Sequence, residues 1–167
     1  MKKKSKNKIA IYISTYGKKI YKCGLKHGIP IEVGATQRNK NHECKYSVQD
    51  NYGENISTEN PYYGELTALY WIWKNVHTYK YVGTCHYRRY LLNEQEKIFT
   101  EAEYLELLKD YDLITTKRVV LNNSYHYGFA TNHNIHALDM TGEVIKELYP
   151  EYYDTFVQLV NGTETYF

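Results

Sequence analysis

The segment His86-Tyr87-Arg88-Arg89-Tyr90 brings two guanidinium groups, an imidazole and two phenols within five residues. A guanidinium stays charged at any working pH, and its planar fork matches phosphate oxygens two at a time. The preceding stretch, Tyr81-Val82-Gly83-Thr84-Cys85, reads as a buried strand. In α/β folds ligands gather at the C-terminal ends of strands, which is where this segment would lie. His86, Arg88, Arg89 and Tyr90 are therefore candidates for holding a phosphate-bearing ligand. The competing reading is a structural arginine pair held by carboxylates. Neighbours along an extended chain point in opposite directions, so both arginines reach one ligand only if the chain turns there.

Several elements must position this segment. Lys8 to Ser14 and Ile29 to Ala35 read as the first two strands, and Thr36 to Asn51 as a long polar loop. Asn60 and Pro61 suit the start of a helix. In that helix Leu66, Leu69, Tyr70, Trp73 and Val76 follow helical spacing and are expected to form the buried stripe. Thr100 and Glu103 have the spacing of a capping box for a helix through Lys109. Asp112 to Thr116 reads as another strand and Lys117 to Tyr127 as a loop. Asn132 to Tyr149 reads as a helix broken by Pro150 and resumed to Val160. Strands alternating with helices predict an α/β fold, a mainly parallel central sheet with helices on both faces.

Composition narrows the classes. A chain of 167 residues suits one domain with a sizeable core, expected over residues 9–167. The net charge of +2, with no RNA-binding signature, argues against a nucleic-acid partner. Five of the first eight residues are lysines. Residues 1–8 read as a disordered basic tail, or as a contact with an anionic membrane surface, where each lysine contributes about 1 kcal/mol. No signal peptide or membrane span is evident, so a cytoplasmic protein, at most peripheral to the inner face of the membrane, is expected. Cys23, Cys44 and Cys85 lack metal or redox spacing. The 20 tyrosines suit a cleft for sugars only weakly, since most rings serve as core or surface.

The order of the blocks carries a resemblance. Asp50-Asn51-Tyr52-Gly53-Glu54-Asn55-Ile56-Ser57 leads to Gly64-Glu65-Leu66-Thr67-Ala68-Leu69-Tyr70-Trp71, and then to His86-Tyr87-Arg88-Arg89-Tyr90. Ile11-Tyr12-Ile13-Ser14, Ile31-Glu32-Val33-Gly34-Ala35, His133 with Leu138-Asp139, and Tyr149-Pro150-Glu151-Tyr152 complete the pattern. The sequence resembles the DUF4422 family of bacterial capsule and exopolysaccharide glycosyltransferases. The resemblance implies a GT-A-like nucleotide-sugar transferase domain, here apparently lacking a C-terminal part. It implies a nucleotide-sugar donor and a glycan or lipid-linked acceptor. The alternative is a non-catalytic module, a truncated transferase that keeps the sugar-nucleotide cleft.

The implied chemistry needs charge stabilisation on a departing pyrophosphate. Many GT-A enzymes hold a divalent metal with an Asp-x-Asp motif at the end of a central strand. Here that place carries Arg88 and Arg89, which repel a cation and neutralise pyrophosphate directly. No cofactor is therefore required on this reading. The oxygens of Asp50, Glu54 and Glu65 would suit magnesium or manganese in the alternative case. Asp50, Asn55 and Glu65 are further donor-binding candidates, and the base and ribose are expected near Ser14, Thr15 and Tyr16 by analogy with the fold. A base on the acceptor hydroxyl could come from His126, His133, His136 or Asp139. His133 and Asp139 fall in the family-like pattern and are the named catalytic candidates.

Overall fold

The computed structural model describes residues 8–17 and 28–166. The expectation of a basic tail over residues 1–8 falls, apart from Lys8, outside the described residues. The chain divides into two compact units, Met1–Ile114 and Thr115–Phe167.

The first unit is built on four parallel strands in the order β3-β2-β1-β4. Strand β1, Ile9–Thr15, is buried along its whole length because both of its faces are covered. Strand β2, Gly28–Glu32, and the two-residue β3, Val48–Gln49, extend the sheet on one side. Between them lie helix α1, Ala35–Arg38, and a short 3-10 turn. Helices α2, Asn60–Tyr63, and α3, Leu66–Asn75, follow, and the chain returns to strand β4, Tyr81–His86, on the other side of β1. On one face Ala10, Tyr12, Ile31 and Val33 pack against Ala68, Trp71 and Ile72 of α3. On the other face Ile9 and Ile11 pack with Tyr104 of α4, Glu101–Leu107. The capping box at Thr100 and Glu103 is formed as its spacing predicts. An α/β architecture with a mainly parallel sheet and helices on both faces is what the alternation of elements indicated.

Of the stripe expected on α3, Val76 packs against the core, but the rest of the buried face lies elsewhere. Leu66, Leu69 and Trp73 are 53%, 48% and 66% exposed, and Tyr70 is half-buried. Thr67, Ala68, Trp71 and Ile72 face the sheet instead. The helix carries apolar residues on both faces, so its periodicity leaves the phase open. Small Thr67 and Ala68 allow close approach to the sheet, and Trp71 donates its indole N–H to the Tyr52 carbonyl at 2.8 Å. The Thr67 hydroxyl also donates to the Asp50 carboxylate at 2.6 Å, a bond no stripe of large residues would reveal.

The second unit holds strands β5, Arg118–Val120, and β6, Glu164–Tyr166, paired antiparallel. Between them run α5, Tyr125–Asn132, α6, Ile135–Leu148, and α7, Tyr153–Asn161, the last entered by a 3-10 turn at Pro150. Asp112 to Thr116 forms no strand, and Leu113 is 78% exposed. A strand exists only where a neighbour takes up its backbone groups; here the pairing begins at Arg118. The expected loop from Lys117 to Tyr127 thus contains β5 and the start of α5.

Candidate functional site

The strand order sets where a ligand can sit. From β1 the chain steps outward to β2 and β3, then returns to β4 on the opposite side of β1. The C-terminal ends of β1 and β4 thus flank the switch point where open α/β sheets leave a crevice. Ser14 is in register with His86 at that edge. The Tyr87 N–H donates to the Ser14 carbonyl at 3.1 Å, which ties the end of β4 to the end of β1.

The chain turns directly after β4. The Arg89 N–H donates to the His86 carbonyl at 3.1 Å, and the two residues form an antiparallel bridge. This is the turn that both arginines require if they are to serve one ligand. The Arg88 N–H donates to Nδ1 of His86 at 3.2 Å. In the neutral ring the proton therefore sits on Nε2, which makes His86 a further donor. The Arg88 guanidinium lies 5.0 Å from the centre of the Tyr87 ring, and that ring packs 4.2 Å from His86. The Tyr90 hydroxyl donates to the Tyr87 carbonyl at 3.1 Å and braces the turn. Arg88 and Arg89 are both exposed, and among the described residues neither is paired with a carboxylate. The reading of a structural arginine pair held by acids therefore loses its support.

Asp50 is not open to a ligand. It is fully buried, and its carboxylate accepts from the N–H groups of Gly34 at 2.9 Å and Ala35 at 3.0 Å and from the hydroxyls of Ser57 and Thr67, both at 2.6 Å. It joins the end of β2, the start of α1 and α3, so it is a positioning residue and not a donor contact. Gly34 belongs to this joint: its φ is +62° and an added Cβ would lie 2.7 Å from Asn60 Oδ1, which leaves glycine as the fitting residue. Asn55 is likewise turned inward on its own loop, donating to the Gly53 carbonyl at 2.9 Å and accepting from the Ser57 N–H at 3.1 Å. Glu54 holds Lys74 at 2.8 Å and the Tyr70 hydroxyl at 3.0 Å. Glu65 is exposed just before α3. Among the described residues no three His, Cys, Asp or Glu side chains come together as a metal site.

Sequence reasoning missed a second buried carboxylate beside the site. Glu32, at the end of β2, is fully buried and pairs with the buried Arg38. It also accepts from the N–H groups of Gly17 at 3.0 Å, Lys45 at 2.7 Å and Tyr46 at 3.2 Å. Arg38 in turn lies 4.5 Å from the centre of the half-exposed Tyr16 ring. The network thereby fixes the exit of β1, where Tyr16 stands. Burial alone pushes the Glu32 carboxyl up, but the Arg38 hydrogen bond, the backbone N–H groups and the Arg38 charge outweigh it and hold it below the usual glutamate range. A lowered acid is a stabilising charge above its unfolded value, and that contribution is lost as pH falls through the folded value. Melting followed from neutral to acid pH should show a fall that flattens in Glu32→Gln. An identical acid slope in the variant would remove Glu32 from this role.

The named catalytic candidates both lie in the second unit. Asp139 on α6 meets His126 on α5, with Nε2 and Oδ1 3.5 Å apart, and not His133. His133 is exposed at the end of α5, where its N–H donates to the Phe129 carbonyl at 2.8 Å and its ring packs 4.8 Å from Phe129. His136 donates its N–H to Asn134 Oδ1 at 3.1 Å in the cap of α6.

A mainly parallel sheet with helices around it, as found here, is the fold of a glycosyltransferase structure. Over 96% of its length the chain matches a solved structure described as a WbbM bifunctional glycosyltransferase in the apo state, with a TM-score of 0.75 and 28% identity. The match takes in 32% of that chain, so the present sequence spans about a third of that protein's length. The model of the DUF4422 family, described as a domain of unknown function, matches residues 10–167, and the chain belongs to this family. No curated protein matches it. No helix among the described residues is long and apolar enough to cross a membrane.

Proposed function

We propose that the protein is a glycosyltransferase that moves a sugar from a nucleotide-sugar donor to a glycan or lipid-linked acceptor in bacterial surface polysaccharide synthesis. The observation that carries the reading is the pair Arg88 and Arg89. They stand on a tight turn at the switch point, and among the described residues no carboxylate pairs with them. Preorganised positive charge is what a departing nucleoside diphosphate needs. Arg88 and Arg89 take the pyrophosphate oxygens, and His86 adds the Nε2–H that its Nδ1 contact leaves to the neutral ring. Tyr90 keeps the turn in shape, and exposed Glu65 remains a candidate for a donor hydroxyl. The reading requires no divalent cation. Considered by itself, the second unit brings Asp139 and His126 together, which makes that pair a candidate for proton transfer beside His133. Work at the cytoplasmic side of the membrane, where sugar nucleotides are held, fits this activity.

The reading of a non-catalytic sugar-nucleotide-binding module shares the same donor site. A thermal-shift screen with nucleotides and sugar nucleotides, with and without manganese, tests donor recognition. A rise in melting temperature with nucleoside-diphosphate sugars supports both readings, and no response from any of them contradicts both. Release of nucleoside diphosphate in the presence of acceptor then separates transferase from module.

A further inference from the structure

Helix α3 is apolar on two sides. Thr67, Ala68, Trp71 and Ile72 face the sheet, while Leu66, Leu69 and Trp73 stand exposed. At about 100° per residue these three fall within one face about 60° wide, opposite the buried four. Half-buried Tyr70 borders that face, and its ring meets the edge of the Trp73 ring at 5.7 Å. The Lys74 ammonium lies 4.0 Å from the Trp73 ring centre, yet most of Trp73 stays open to water. A helix apolar on both sides calls for cover on both.

The order of residues along this outer face maps onto itself. In an antiparallel pair of copies, with the two-fold axis between Leu69 and Tyr70, each residue meets the one equally far beyond the axis. Leu66 then meets the partner's Trp73, and Leu69 meets the partner's Tyr70. Glu65 and Lys74 lie about 90° to opposite sides of the face centre, so Glu65 meets the partner's Lys74. Glu65 is exposed and pairs with no cation among the described residues. Lys74 is held by Glu54 at 2.8 Å and keeps further N–H donors for a second carboxylate. Apolar side chains thus meet apolar ones, acid meets base, and every contact is made twice. Parallel pairing would instead set Glu65 against its own copy. An anionic lipid surface would meet a carboxylate on one flank of the face.

We propose that the outer face of α3 is an interface with a second copy of this chain, the two helices packed antiparallel. The helix has ten residues and is about 15 Å long, so the contact is small, the association weak and the dilute chain monomeric. Association is read without a donor and stands apart from glycosyl transfer. Glu65, also a candidate for a donor hydroxyl, stays unchanged in every variant of the test.

Sedimentation of the full chain from micromolar to near-millimolar concentration should show a reversible monomer–dimer equilibrium. Leu69→Arg places a charge beside the two-fold axis, opposite its own copy, and should weaken association more than about tenfold. Leu69 is exposed, so the circular dichroism of the variant should be unchanged. The register is read independently with Leu66→Cys and Trp73→Cys. Mixed and mildly oxidised, the two proteins should form a disulfide-linked dimer above the background that the native cysteines set. Either protein alone should not, because its two new thiols lie roughly 10 Å apart along the helices. A chain that stays monomeric throughout would overturn the proposal. A dimer indifferent to Leu69→Arg, or cross-linking no greater in the mixture than in either protein alone, would overturn it too, by assigning association to another face or register.

Discussion

Replacing Arg88 and Arg89 together by alanine should abolish most of the affinity for a UDP-sugar. Each charged hydrogen bond contributes about 1.5–3 kcal/mol, so removing both should cost more than about a hundredfold in Kd. Both side chains are exposed and, among the described residues, unpaired with acids, so the fold should not suffer, and an unchanged melting temperature is part of the expectation. Lysines in both places should restore only part of the affinity, because an ammonium keeps the charge but lacks the fork. Full recovery with lysine would mean that diffuse positive charge, not bidentate recognition, holds the ligand.

The second large effect concerns stability and separates two neighbouring tryptophans. Trp71 is 4% exposed, packs edge-on against Tyr12 and Tyr52, and donates its N–H to the Tyr52 carbonyl. Trp71→Ala should cost about 3–5 kcal/mol, as for other buried aromatic truncations. Trp73, 66% exposed, should cost no more than about 0.5 kcal/mol on the same change. Chemical denaturation of the two variants reads the difference directly. The reverse order would restore the stripe of Leu66, Leu69, Tyr70 and Trp73 to the core.

That contrast shows which features were legible in the sequence. The capping box at Thr100 and Glu103 is a local device, complete within four residues, and it formed where its spacing put it. Strand β1 was legible because burial on both sides demands a continuous apolar run. Strand β4 forms where expected but not as the buried strand its sequence suggested: it is an edge strand, none of its residues is buried, and Val82 is 40% exposed. The phase of α3 was not, since Trp71 and Trp73 are equally apolar and only the sheet selects between them. Nor was the role of Asp50. An acid in a polar loop reads as a ligand until Gly34, Ala35, Ser57 and Thr67 are seen to converge on it from other elements. The Glu32–Arg38 pair escaped for the same reason, as neither residue carries a spacing signal for burial. The turn after β4 was posed by the sequence only as a condition for Arg88 and Arg89 to act together. His126 and Asp139 were both candidates in the sequence, while their meeting is set by how α5 and α6 pack.

The central claim is that arginines take the place of a metal at the pyrophosphate. Calorimetric titration of a UDP-sugar into the protein, with and without EDTA, tests it most directly. Binding should persist in the chelator and disappear in the Arg88→Ala, Arg89→Ala double variant. Binding that vanishes with EDTA yet survives the double alanine change would contradict the account and assign the diphosphate to a metal.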